Sequence, residues 1–149
     1  MATKNSINMK LSNIQLREIL SQRPPFLLVD KIIKMEGRTV WGLKHVTASE
    51  SYLQGHFPDK PIYPGVLLIE TCAQVGGALF INDPGKKGNG YLANIKDFKF
   101  LKFIVPGDTI IVEATLIKEI GIYVNIEVIA KVDDEIVGKG SIVYSFQKI

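Results

Sequence analysis

Apolar and polar positions alternate most regularly in the second half of the chain. Alternation is visible in Tyr123-Val124-Asn125-Ile126-Glu127-Val128-Ile129-Ala130, the period of a strand with one buried face. Strands are predicted over residues 91–105, 109–120, 122–132 and 136–146, with Pro106-Gly107-Asp108 and Asp133-Asp134 as turns. The first half is more mixed. Ser12 is placed to cap a short helix over residues 13–20, with Ile14, Ile19 and Leu20 among its apolar positions. Pro24-Pro25 stops that helix. Strands over residues 26–33 and 40–46 form a hairpin around Gly37.

Between the halves, Pro64-Gly65 opens an apolar helix over residues 65–81, and residues 82–90 form a Gly/Pro-rich loop. Apolar residues run almost all the way round this helix, so a sheet or a partner must cover it. Residues 1–10 are polar and expected to be flexible. No repeat or linker divides the 149 residues, which predicts a single α+β domain with its helix segregated from an antiparallel sheet.

Composition narrows the field. A 46% hydrophobic content supports a full core and excludes a disordered chain. The net charge of +3 is spread without a dense basic block, so nucleic acid is not an expected partner. Neither a signal peptide nor a membrane-inserted span is expected, and the single Cys72 suits the reducing cytoplasm. No Cys/His framework for a metal is present in the sequence.

Candidate chemistry concentrates in one stretch. Gly55-His56-Phe57-Pro58 lies in a Pro/Gly-rich loop, and Pro64-Gly65-Val66-Leu67 leads into a helix carrying Glu70 and Gln74. An imidazole is able to take a proton at neutral pH. A helix start presents unpaired N–H groups and positive potential, and glycine at position 65 permits close approach of a carbonyl. Glu70, among Leu67, Leu68, Ile69 and Ala73, is expected to resist ionisation and to act as an acid. A base on an α-carbon, an acid on a β-hydroxyl and donors on a carbonyl together describe elimination of water.

Other residues admit two readings. Gln74 lies on the same helix face as Glu70, where it orients Glu70 or substrate, or bonds a neighbouring backbone group. Phe98, Phe100 and Phe103 line an acyl tunnel or form plain core. Lys96, Lys99 and Lys102 meet an acidic partner or form a solvated face. Cys72 points away from Glu70 as a core thiol, and His45 is an ordinary strand residue.

With these residues in view, the chain resembles the β-hydroxyacyl-acyl-carrier-protein dehydratases of fatty acid synthesis. The match runs through Phe26-Leu27-Leu28-Val29-Asp30, the His56 to Gln74 stretch and Val105-Pro106-Gly107-Asp108. The resemblance implies a hot-dog fold, with a long central helix wrapped by a curved antiparallel sheet. It implies homodimers assembled into hexamers, with His56 from one subunit and Glu70 from the other. It also implies a Gly65 N–H on the thioester carbonyl, acyl carrier protein as partner, and no cofactor beyond the phosphopantetheine that arrives with substrate. Glutamate at position 70 favours the branch that does not isomerise its product. The chain departs from the family at Gln22 and Pro24, where histidine and tyrosine are usual, and at Asn94-Ile95-Lys96. A hot-dog thioesterase, with Glu70 activating water, and a non-catalytic acyl-binding protein are the competing expectations.

Overall fold

The computed structural model describes residues 10–147, so all but Lys10 of the expected flexible start lies outside the described residues. Strand β1 (Leu11–Ser12) is too short to announce itself in the sequence. Ser12 then caps α1 (Asn13–Leu16) reciprocally: its Oγ accepts from Gln15 N–H, and its own N–H donates to Gln15 Oε1 at 2.9 Å. The regular helix stops at Leu16, short of the expected residue 20. Arg17, Glu18 and Ile19 each donate three residues back, the tighter winding of a 3₁₀ turn. That turn buries Ile19 and Leu20 but leaves Ile14 exposed.

The strand expected over residues 26–33 is displaced. Strand β2 (Lys31–Glu36) begins five residues later and forms a hairpin with β3 (Thr39–His45) through Gly37, whose φ is +58°. Leu27, Leu28 and Val29 are buried as their hydrophobicity demands, but not as strand. Phe26 and Leu27 donate back to Arg23 O in a turn, and the N–H of Leu28 goes to a helix side chain. An apolar run reports burial; the ladder needs a partner strand that this segment lacks.

Helix α2 (Gly65–Gly77) gives way to a 3₁₀ turn over Ala78–Phe80, close to the expected extent. It packs across the centre of the sheet. A Cβ on Gly42 would lie 2.7 Å from Val75 Cγ2, so glycine there lets helix and β3 approach. Strand β4 (Tyr91–Phe100) ends before the expected residue 105. A register shift between Lys96 and Lys99, with Asp97 at φ +52°, marks a bulge that bends it.

Strands β5 (Thr109–Ile120), β6 (Tyr123–Val132) and β7 (Glu135–Ser145) lie within one residue of expectation. Asp133 and Asp134 both have positive φ, the geometry of a two-residue hairpin turn. All pairings are antiparallel, in the order β1-β2-β3-β5-β6-β7-β4. With its single α2 across the sheet, this is the α+β hot-dog architecture. Strand β4 is an edge, and Tyr91, Leu92, Ile95 and Phe100 are exposed along it.

Candidate active site

The loop between β3 and α2 presents His56. Its N–H donates to Tyr52 O at 3.1 Å, and its Nδ1 lies 2.9 Å from Ile62 O. A carbonyl oxygen only accepts, so Nδ1 carries the hydrogen and neutral His56 keeps a lone pair on Nε2. The Phe57 ring packs against the imidazole in a tilted arrangement, 4.4 Å between centroids. Phe57 itself has φ +57°, an uncommon conformation for a bulky residue, and the turn is closed by Lys60 N–H on Phe57 O at 2.8 Å.

Gly65 is the first residue of α2. Pro64 precedes it as cap, and its carbonyl accepts from Leu67 and Leu68. Pro64 has no side-chain acceptor to offer the first-turn donors, so the helix start remains positive. The Phe100 ring lies over Gly65, where an added Cβ would come within 2.8 Å of Cε1. Glycine at position 65 therefore has a steric cause inside the chain as well as any role toward a ligand.

One and a half turns on, half-buried Glu70 borders a cleft of about 340 Å³. Burial pushes its carboxyl above the usual range, and a hydrogen bond from Gln74 pulls the other way without cancelling the effect. Gln74 performs two of the tasks expected of it at once. Its Nε2 donates to Glu70 Oε1 at 2.9 Å and to Phe26 O at 2.8 Å, while its Oε1 accepts from Leu28 N–H at 2.8 Å. A flipped amide would set oxygen against both acceptors, so the network fixes its orientation.

The cleft is walled by Leu20 and Gln22, by Glu70, Ala73 and Gln74, and by Tyr144 and Phe146. Phe80 closes one side, with its ring 5.8 Å from Tyr144 and 4.9 Å from Phe146. The sequence reading missed these three aromatics. A usable signal was present: Tyr144 and Phe146 are two apart at the end of a strand, so they share a face. Of the residues considered for a tunnel, none lines this cleft. Phe98 packs on Gly138 and Gly140, Phe100 covers Gly65, and Phe103 is 79% exposed.

His56 does not line the cleft either, whereas Glu70 and Gln74 both do and are joined by a hydrogen bond. Lys96 and Lys99 are exposed on β4, and Lys102 is paired with Glu135. Cys72 is wholly buried and burial pushes its thiol up. His45 ends β3 with its Nδ1 3.0 Å from Thr109 Oγ1.

The scaffold thus carries a helix-borne carboxyl raised by burial, a loop-borne imidazole and a helix start without a side-chain cap. The FabA-like domain family matches residues 20–144, and the chain belongs to that family. It is 40% identical over 141 residues to the 3-hydroxyacyl-acyl-carrier-protein dehydratase FabZ of Ruminiclostridium cellulolyticum, covering 93% of this chain and 99% of that protein. The protein of the same name in Thermoanaerobacter pseudethanolicus is 42% identical over 137 residues, 90% of this chain and 96% of the relative. Among solved structures, the dehydratase heterocomplex ApeI:P of Xenorhabdus doucetiae superposes with a TM-score of 0.75 at 15% identity, covering 89% of this chain and 91% of that one. At that identity the likeness concerns the fold alone.

Proposed function

We propose that this chain is a hydro-lyase that dehydrates (3R)-hydroxyacyl groups carried as thioesters on acyl carrier protein. The products are a trans-2-enoyl thioester and water, in fatty acid biosynthesis or a related acyl pathway. The observation that carries this reading is the Glu70 carboxyl. It sits at the wall of a cleft where burial pushes it above the ordinary carboxylate range, with one oxygen tied to Gln74 and the other left for substrate.

In this mechanism His56 Nε2 takes the proton from C2. The negative charge that develops on the thioester oxygen is met by the Gly65 N–H and the positive start of α2. Glu70 gives its proton to the C3 hydroxyl, which leaves as water. The imidazolium and carboxylate that remain exchange the proton through solvent to restore the starting state. Each role is filled by a group of the chain, so no bound metal or organic cofactor is required, and phosphopantetheine enters with the carrier.

The working unit in this proposal is a homodimer, with His56 of one subunit completing the Glu70 cleft of the other. Two features support it: His56 stands outside its own chain's cleft, and β4 offers an open edge bearing Tyr91, Leu92 and Ile95. Assembly of dimers into hexamers rests on the family resemblance alone. Exposed Lys96 and Lys99 are assigned to the acidic carrier, and the cytoplasm is the proposed location. Among the described residues no helix is long and apolar enough to cross a membrane.

The test is hydration of crotonyl thioesters, on carrier protein and on CoA, followed by loss of the enoyl chromophore alongside thiol release. The wild type is expected to hydrate without releasing thiol. His56→Ala and Glu70→Gln are each expected to lose at least about 10²-fold in rate. Thiol release would assign a thioesterase, and full activity in either variant would remove that residue from the mechanism.

A further inference from the structure

Tyr63 takes no part in the chemistry above, yet it is fastened at three points. It is only 3% exposed. Its N–H donates to Ile104 O at 2.8 Å, its ring meets Tyr52 edge-on at 5.8 Å, and its hydroxyl lies 2.8 Å from Thr71 Oγ1. The direction of that last bond follows from its neighbour. Thr71 has one hydroxyl hydrogen, and it is donated to Leu67 O at 2.7 Å. Tyr63 is therefore the donor and Thr71 the acceptor. Burial pushes the Tyr63 phenol up, so it keeps the hydrogen that this bond needs.

The relay Tyr63 to Thr71 to Leu67 joins the His56 loop to the turn of α2 that carries Glu70. Its bearing on His56 runs through one peptide group. His56 Nδ1 donates to Ile62 O, and that oxygen belongs to the peptide between Ile62 and Tyr63. Where Tyr63 is held decides where that carbonyl points. A carbonyl in place keeps the hydrogen on Nδ1 and leaves Nε2 bare; a carbonyl that wanders admits the tautomer with hydrogen on Nε2, which is unable to accept a proton.

We infer that Tyr63, through its hydroxyl bond to Thr71, is a positioning residue that holds the Ile62 carbonyl against His56 and so sets the imidazole's tautomer. This rests on the reading of His56 as the base. Tyr63→Phe keeps the ring and its edge-on contact and removes only the donor. Thr71→Val removes the acceptor from the other side, and Thr71→Ser retains it.

Each variant is assayed for crotonyl-thioester hydration and for the ¹⁵N shifts of its imidazoles. The chain has 2 histidines, so His45 on Thr109 serves as internal reference. Tyr63→Phe and Thr71→Val are expected to lower kcat about 10-fold to 100-fold with KM little changed, since small misplacements of a reacting group have effects of that size. The His56 Nδ1 and Nε2 shifts are expected to move toward one another, and Thr71→Ser to restore both readouts toward wild type. A wild-type tautomer in both variants overturns the inference, whether or not the rate falls. So does a drop in melting temperature alone. Hydration that survives His56→Ala instead overturns the assignment of the base, whatever the Tyr63 variants do. If Tyr63→Phe does not fold, Thr71→Val and Thr71→Ser decide the question.

Discussion

Gln74 donates to Glu70 Oε1 at 2.9 Å from a side chain whose other polar groups are committed to Phe26 and Leu28. Glu70, the proposed acid, is thus oriented by a residue that also ties α2 to the chain before β2. Gln74→Leu would leave the buried Leu28 N–H without a partner, at a cost of about 1–3 kcal/mol. Urea unfolding is expected to show that loss. The rate of hydration is expected to fall with it, because Glu70 loses its anchor. Unchanged stability would mean that water replaces the amide.

Glu70 links activity to stability through pH. Its folded pKa lies above the ordinary value of 4.5, so the folded chain holds this proton more tightly than the unfolded chain. The contribution is therefore full below pH 4.5 and is lost as pH rises through the folded value. Glu70→Gln removes the group that suffers this loss. The variant is expected to melt higher than wild type at pH 8, with the gap closing as pH falls below that of a free carboxyl. A gap independent of pH would contradict the burial of the charge.

Gly65 and Phe100 separate packing from chemistry. Gly65→Ala sets a methyl against the Phe100 ring, a strain of about 1–2 kcal/mol, since the ring is half exposed and able to swing. Adding Phe100→Leu is expected to restore melting temperature but not rate, if the thioester needs bare backbone at position 65. Recovery of both would make glycine a packing residue only.

Mixing the two inactive variants tests the shared site. A dimer of one His56→Ala and one Glu70→Gln subunit contains one intact site and one doubly damaged site. Random coexpression is expected to recover about a quarter of wild-type activity, because half the dimers are mixed and each mixed dimer has half its sites. No recovery would place His56 and Glu70 of one chain in one site.

Phe146 bears on chain length. With Phe80 and Tyr144 it walls the cleft beside Glu70. Phe146→Ala is expected to raise kcat/KM for longer acyl chains relative to crotonyl. Each methylene newly buried is worth about 0.8 kcal/mol, or roughly fourfold. An unchanged profile would direct the search back to Phe98 and Phe100.

Much of this was legible in the sequence. The strands β5, β6 and β7 announced themselves because one face is buried and the other wet, which writes a period of two. His56, Gly65 and Glu70 stood out because each is chemically unlike its neighbours. What failed to show depended on distant partners. Leu27-Leu28-Val29 reads as strand until Gln74, 46 positions beyond Leu28, takes its N–H. The aromatic run suggests a tunnel at Phe98, Phe100 and Phe103, but Gly140 draws Phe98 onto the sheet and Gly65 draws Phe100 onto the helix start. Nothing in the local sequence marks Thr71, and only the approach of Tyr63 reveals its hydroxyl as a link.

The place of α2 in the chain sets the order in which the protein is made. During synthesis this apolar helix emerges with β3 beside it, before β5, β6 and β7 exist to cover it. The last of these, β7, supplies Ile142 and Tyr144, and the Tyr144 hydroxyl donates to Ala73 O at 2.5 Å. Until then the helix is a greasy segment without a home, the kind of nascent chain that ribosome-bound chaperones shield. The core is non-local, so folding waits for nearly the whole polypeptide and then proceeds together.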